Sequence, residues 1–423
     1  MTVVVTDSTR PAAEPRDLRE SARVVEGRLP PSPSGHLAYV GADDNVYVVD
    51  PVMGATVQVT DDGSSADTGS GIFHTGMAWS ETGELAFART DVEAFTSSLF
   101  VTVPGSGELE RVTSAGGMLI YASWSPAPCG GRGCSGLAYV ADGDGEPGGE
   151  VALRVLRPAA ARWRPVLEQR AAQIYFAWAG GRERLVRHVL EADGRLEDVD
   201  LDRGTARAIR ASLAPFLAPA FTGGRVVYAV ADAPDADPSV TVTDSAVVVH
   251  APPDARRVAF APSPDGSRLA LAVRRGPQTT PEQAFGHPWI VDLGTGEVSR
   301  VGPPSLWAKA FYWAPDSLRL AYLTWLDNDL RPYNQWRVFD VRTGEDHGFV
   351  AFQPTRTFET LTTFFDQFGQ SHRLWSPDGR YLTYAAVSNE GQDQVWLLDT
   401  KRSHERTLVA DGVVATFSAA SRG

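Results

Sequence analysis

The sequence is poor in several things, and each scarcity removes a class of protein. Of its 39 basic residues all but Lys309 and Lys401 are arginine, and 52 acidic residues outnumber them, giving a formal charge of −13. A protein that neutralises nucleic-acid phosphates needs a basic face and a favourable field, so this balance argues against a general nucleic-acid binder. Hydrophobic runs are short. None approaches the ~18 consecutive apolar residues of a membrane helix, so no membrane insertion is expected. Residues 1–20 carry Asp7, Arg10, Glu14, Arg16, Asp17 and Arg19 without the apolar core of a secretory signal, and the expected compartment is the cytoplasm.

Cysteine is nearly absent. Cys129 and Cys134 stand alone, expected as reduced thiols, with a short-loop disulfide or a metal site completed by two outside ligands as the alternatives. There is no Gly-x-Ser-x-Gly nucleophile elbow, no Gly-Lys-Ser/Thr phosphate loop and no His-Glu-x-x-His pair. The eight histidines show no pair at metal-ligand spacing, although a ring of repeats can bring distant residues together. Asp142-Gly143-Asp144-Gly145-Glu146 and the acidic stretches 232–237 and 327–329 read as solvated turns rather than calcium loops. No cofactor and no metal is expected.

What is plentiful is punctuation. Forty glycines and 29 prolines spread along 423 residues favour many short strands. A repeat runs through them. Its clearest copies are Ala261-Pro262-Ser263-Pro264-Asp265-Gly266-Ser267-Arg268-Leu269 and Trp375-Ser376-Pro377-Asp378-Gly379-Arg380-Tyr381-Leu382. A third, Trp313-Ala314-Pro315-Asp316-Ser317-Leu318-Arg319-Leu320, has Ser317 where the others have glycine. Pro presets its own φ, Asp binds backbone N–H groups just beyond it, and Gly accepts a positive φ, so each copy reads as strand, tight turn, strand.

Looser copies place second-strand markers at Leu37, Leu85, Leu137, Leu185, Val226, Leu269, Leu320 and Leu382, spaced 41 to 62 residues apart. Third strands ending in Asp follow most of them, as in Val46-Tyr47-Val48-Val49-Asp50, and short fourth strands after that. Four strands per repeat make a propeller blade. The expected fold is all-β, a single β-propeller of eight four-stranded antiparallel blades. Seven is the alternative, if the weak copies at Leu185 and Val226 share one blade. Residues 22–423 form the ring and 1–21 an arm outside it. The tail 413–418 and the segment 22–29 compete to supply the closing strand.

The Ser-Pro-Asp-Gly copies resemble those of the TolB-like family, are WD-repeat-like, and are similar to the propeller domain of dipeptidyl peptidase IV relatives. The hydrolase domain of the latter has no counterpart here. That resemblance implies an interaction platform more than an enzyme.

The largest irregularity precedes the best copy. Residues 349–375 carry Phe349, Phe352, Phe358, Phe364, Phe365, Phe368 and Trp375, with Asp366, Gln367, Gln370, Ser371, His372 and Arg373 among them. A segment leading into a blade's innermost strand lies near the channel mouth, where aromatics with a few polar groups make a binding surface. The plainer alternative is that these rings fill the gap between blades or plug the channel. The loop 325–336, with Trp307, should reach the same face, and the loop 274–287, with Phe285, extends it.

The candidate binding residues are Trp307, Trp325, Tyr333, Phe364, Phe365, Phe368, Gln367 and His372. The leading expectation is a non-catalytic scaffold that engages a protein partner, its identity open. The alternatives are a channel-mouth lyase or hydrolase using His372, Asp366 and Arg373, and a sensor of small ligands or carbohydrate.

Overall fold

The computed structural model describes residues 2–4, 23–25 and 35–419, apart from 51–53, 65–70, 127–134, 143–148, 160–161, 182, 191–193, 211–217, 231–238, 244–247, 251–254, 276–284, 305, 327–332 and 403–404. Cys129, Cys134, the two acidic stretches 232–237 and 327–329, and most of the 274–287 loop lie outside the described residues. Of the described helices none is long and apolar enough to cross a membrane.

The chain folds as a β-propeller of four-stranded antiparallel blades. All eight markers fall in second strands, and each is buried because both faces of that strand are covered by neighbouring blades. The turn motif explains the register. In the best copy the Ser376 hydroxyl donates to Asp378 at 2.5 Å and accepts the backbone N–H of Tyr381 at 2.9 Å, while Gly379 turns at φ +66°. Ser263 repeats this with Asp265 and Arg268 at 2.6 and 3.0 Å. Ser317 takes the glycine's role at φ +59°, a conformation that costs an L-residue about 1–2 kcal/mol. Its hydroxyl offsets part of that cost by accepting the backbone N–H of Asp265 in the adjacent blade at 3.0 Å.

Among the described residues the strands form seven hydrogen-bonded sheets, so the expectation of eight blades is corrected to the alternative count of seven. The reason differs from the one anticipated. The Leu185 and Val226 copies each build their own sheet. It is the first and last repeats that merge, through the 13-residue strand Glu405–Phe417. Its first half pairs with Asp393–Asp399 and its second half with Leu37–Gly41, so one strand is outermost for the Leu382 repeat and innermost for the Leu37 repeat. At two other junctions the same outer-to-inner passage is broken by only a residue or two, between Leu109–Gly116 and Leu119–Trp124 and between Arg162–Ala171 and Gln173–Trp178. Two short strands add in parallel at outer edges: Thr2–Val4 beside Val248–His250, and Arg23–Val25 beside residues 405–407.

Tryptophans at the ends of the innermost strands lock each repeat to the preceding one. The indole N–H of Trp124 donates to the carbonyl of Ala78 at 3.0 Å, Trp178 to Ser123 at 3.1 Å, Trp313 to Ala261 at 2.9 Å, Trp375 to Tyr312 at 3.0 Å, and Trp79 to Thr416 at 3.2 Å. Each acceptor immediately precedes the corresponding motif position of its own repeat. Phe221, Pro262 and Phe417 occupy that position in the other three repeats and have no side-chain N–H to give.

Candidate functional site

The last repeat lacks a regular innermost strand. Only bridges at Pro354 and Trp375 pair with its second strand, Tyr381–Val387. Between them the chain makes helix α1 (Arg356–Thr363) and the short helix α2 (Phe365–Phe368) and runs along the ring axis. Thr355 caps α1 by accepting the N–H of Phe358, and its hydroxyl donates to the carbonyl of Val413 at 2.6 Å.

This segment touches repeats all around the ring. Phe365 is buried and packs edge-on against Phe311 at 4.7 Å and Phe285 at 6.2 Å. Phe368 meets Tyr121 at 5.4 Å, nearly perpendicular. Gln370 donates to the carbonyl of Pro219 at 3.0 Å, and Arg373 Nη1 to that of Trp79 at 3.1 Å. Lys309, wholly buried on the innermost strand Trp307–Trp313, forms an ion pair with Glu359 of α1 and lies 5.7 Å over the Trp325 ring. Burial lowers the Lys309 pKa, opposed by the Glu359 charge.

A cavity of about 760 Å³ remains on the axis. Its walls are the ends of the innermost strands and the turns that follow them: Trp79, Trp124, Trp178, Phe221, Trp313 and Trp375, with Pro126, Pro264, Pro315 and Pro377 toward the rim. Pro264, Pro315 and Glu81 are exposed, so the cavity meets solvent on the turn face. The inserted segment forms its floor through Phe365, Asp366, Gly369, Gln370, His372 and Arg373. α1 lies toward the other end, beside Lys309 and Val413 near the starts of their inner strands.

Similarity to known structures agrees with this topology. No protein-family model matches the chain, and no curated protein does. Among solved structures, a prolyl endopeptidase aligns with a TM-score of 0.55 at 14% identity, over 86% of this chain and 52% of that one. A eukaryotic initiation factor aligns at 0.53 and 12% identity, over 92% and 99%. TolB from Acinetobacter baumannii aligns at 0.41 and 15% identity, over 82% and 83%. The fold is a β-propeller. At such identities the likeness extends to the fold alone.

Within the propeller the sequence-derived candidates separate into three groups. Phe365, Asp366, His372 and Arg373 line the cavity. Gln367 is buried, Phe368 half-buried, and Phe364, at the α1–α2 corner, is 43% exposed outside the cavity wall. Trp307 and Trp325 pair across their ladder at the far end of the strand that ends in Trp313, with Tyr333 on the next strand, so these three stand away from the cavity.

The electrostatics set what the floor can do. His372 is buried, with Nε2 3.0 Å from the Ala415 carbonyl and a further backbone bond at Met77; burial pushes its pKa down to about 4. Its ring is a strut between two inner strands. Arg373 also donates its backbone N–H to Thr416 Oγ1 at 3.0 Å, and burial lowers its pKa against the favourable charge of Glu81. Tyr312 and Tyr121 are buried beside Asp366, and desolvation, then that carboxylate, raises both phenols, Tyr121 to about 12. No group of three potential metal ligands lies together among the described residues. The motif tryptophans and Lys309 were missed as key residues, yet the tryptophans recur at one position of the repeat, and Lys309 interrupts an apolar run.

Proposed function

We propose that this chain is a non-catalytic binding propeller that engages a protein partner on the turn face, around the mouth of the axial cavity. The observation that carries the reading is the cavity itself. It draws walls from innermost strands around the ring, is floored by one inserted segment, and is rimmed by exposed turns that a partner can reach without disturbing the core. The aromatic-rich composition of the wall agrees with a recognition surface, although its indole N–H groups are spent in the inter-repeat locks. The catalytic alternative gains nothing from His372, whose Nε2 bonds the Ala415 carbonyl in a buried site.

The test is capture of a partner by the purified chain, compared with a rim variant carrying Pro264→Glu and Pro315→Glu. Both prolines are exposed, so the variant should keep its thermal transition while losing a specific partner. Equal capture by the variant and the parent would place the binding surface elsewhere.

A further inference from the structure

The cavity floor holds a cation whose donors are largely unspent. A guanidinium carries five N–H groups. For Arg373 the bond to the Trp79 carbonyl is the only one made by that head group among the described residues, and no carboxylate there forms an ion pair with it. Glu81 favours its charge from the rim without pairing with it. In the same wall the Tyr312 hydroxyl is buried and has no hydrogen-bond partner. Arg373 is half-buried, and its planar fork can grip a carboxylate with two parallel hydrogen bonds. Around it Trp79, Trp124, Phe221 and Pro262 give the wall its apolar area, alongside polar groups that include the carboxylates of Asp366 on the floor and Glu81 at the rim. The volume of about 760 Å³ falls in the range of small-ligand sites. A chain of net charge −13 repels anions at a distance, so an anion site in it depends on a local cation, the part Arg373 can play here.

We infer that the cavity receives a carboxylate carried on an apolar body, with Arg373 gripping the carboxylate and the aromatic wall covering the body. The inference rests on reading the turn face as a binding face. Two sources share this chemistry: a free small carboxylic acid, and the C-terminal carboxylate of a partner chain ending in an apolar residue.

Four probes test it by calorimetry and by the fluorescence of the wall tryptophans: 3-phenylpropionate, its amide, the tripeptide Ala-Ala-Phe, and that tripeptide amidated at its C-terminus. Saturable binding of at least one acid is expected, with the matching amide about tenfold to hundredfold weaker, the span of one charge-assisted hydrogen bond. Arg373→Gln should bring the acid down to the level of the amide. Should that variant fail to fold, Arg373→Lys replaces it and should weaken the acid severalfold, because a point charge replaces the fork. Tighter binding of the tripeptide identifies a chain terminus as the source, and tighter binding of phenylpropionate a free acid. Equal binding of acid and amide, or no saturable binding of either acid, overturns the inference. If neither acid binds while partner capture survives, the carboxylate inference fails and the binding face stands. If an acid binds but the rim variant captures partner normally, the reverse holds.

Discussion

The ammonium of Lys309 and the carboxylate of Glu359 meet inside the ring, tying the inserted helix to the innermost strand of the preceding repeat. Lysine occurs at only one other position in the chain. Here a slender, flexible stem lets the charge reach Glu359 where the neighbouring positions are alanine. Replacing Glu359 by alanine leaves a buried ammonium unpaired and should cost about 3 kcal/mol, near the low end for broken buried pairs because Glu359 is 27% exposed. The double change Lys309→Met with Glu359→Leu should recover most of that. Denaturant unfolding of the three proteins measures it.

The floor should respond very differently at two adjacent phenylalanines. Phe365→Ala empties a site packed by Phe311, Tyr312 and Phe285 and should cost about 3–5 kcal/mol. Phe364→Ala, at an exposed corner, should change stability by less than about 0.5 kcal/mol. Thermal melts of the two variants distinguish them.

Trp375→Phe keeps an aromatic ring but a smaller one and removes the indole N–H, leaving the Tyr312 carbonyl without its 3.0 Å donor. A loss of about 1–2 kcal/mol is expected, and the same from Trp124→Phe, whose acceptor is Ala78. Equal stability of either variant and the parent would show that the lock contributes nothing.

Ser317 separates strain from hydrogen bonding. Ser317→Ala keeps the positive φ and drops the bond from Asp265, for a loss of about 1 kcal/mol. Ser317→Gly drops both, so the two effects should cancel to within about 0.5 kcal/mol. Comparing denaturation midpoints checks the order.

Acid should destabilise the protein in a defined window. His372 and His287 are both buried, and desolvation holds each near pKa 4, well below the ordinary 6.5. A base with a depressed folded pKa takes up a proton on unfolding between those two values. Stability therefore rises with pH from about 4 to 6.5 and is flat above, each histidine accounting for up to about 3 kcal/mol across the window. The melting temperature should climb over that range, and His372→Gln should flatten the climb.

The repeat was legible because its determinants are local. Pro-Asp-Gly turns and the alternation after them depend on neighbours a few residues away, and all eight second strands lie where those motifs put them. The number of separate sheets was not legible, because it depends on whether residue 411 continues into residue 412 as strand, at a glycine where a Cβ would meet the Val40 carbonyl oxygen at 2.5 Å, a long-range contact rather than a matter of composition. The aromatic density of 349–375 pointed to the axis, but not to which end the rings would close. That depends on partners such as Phe311, Pro219 and Tyr121, which lie 54, 151 and 247 residues from the residues they meet. Trp307 and Trp325 illustrate the same gap: aromatic type alone does not tell the two ends of a strand apart.

The shared strand Glu405–Phe417 also sets the order of events during synthesis. The bond from His36 to Ser418 joins residues 382 apart, so the first repeat waits for its innermost strand until nearly 400 further residues have been made. Until then Leu37–Gly41 presents an unpaired edge to its surroundings. Deleting residues 412–418 would leave that edge open permanently, so such a variant should aggregate rather than form a smaller propeller.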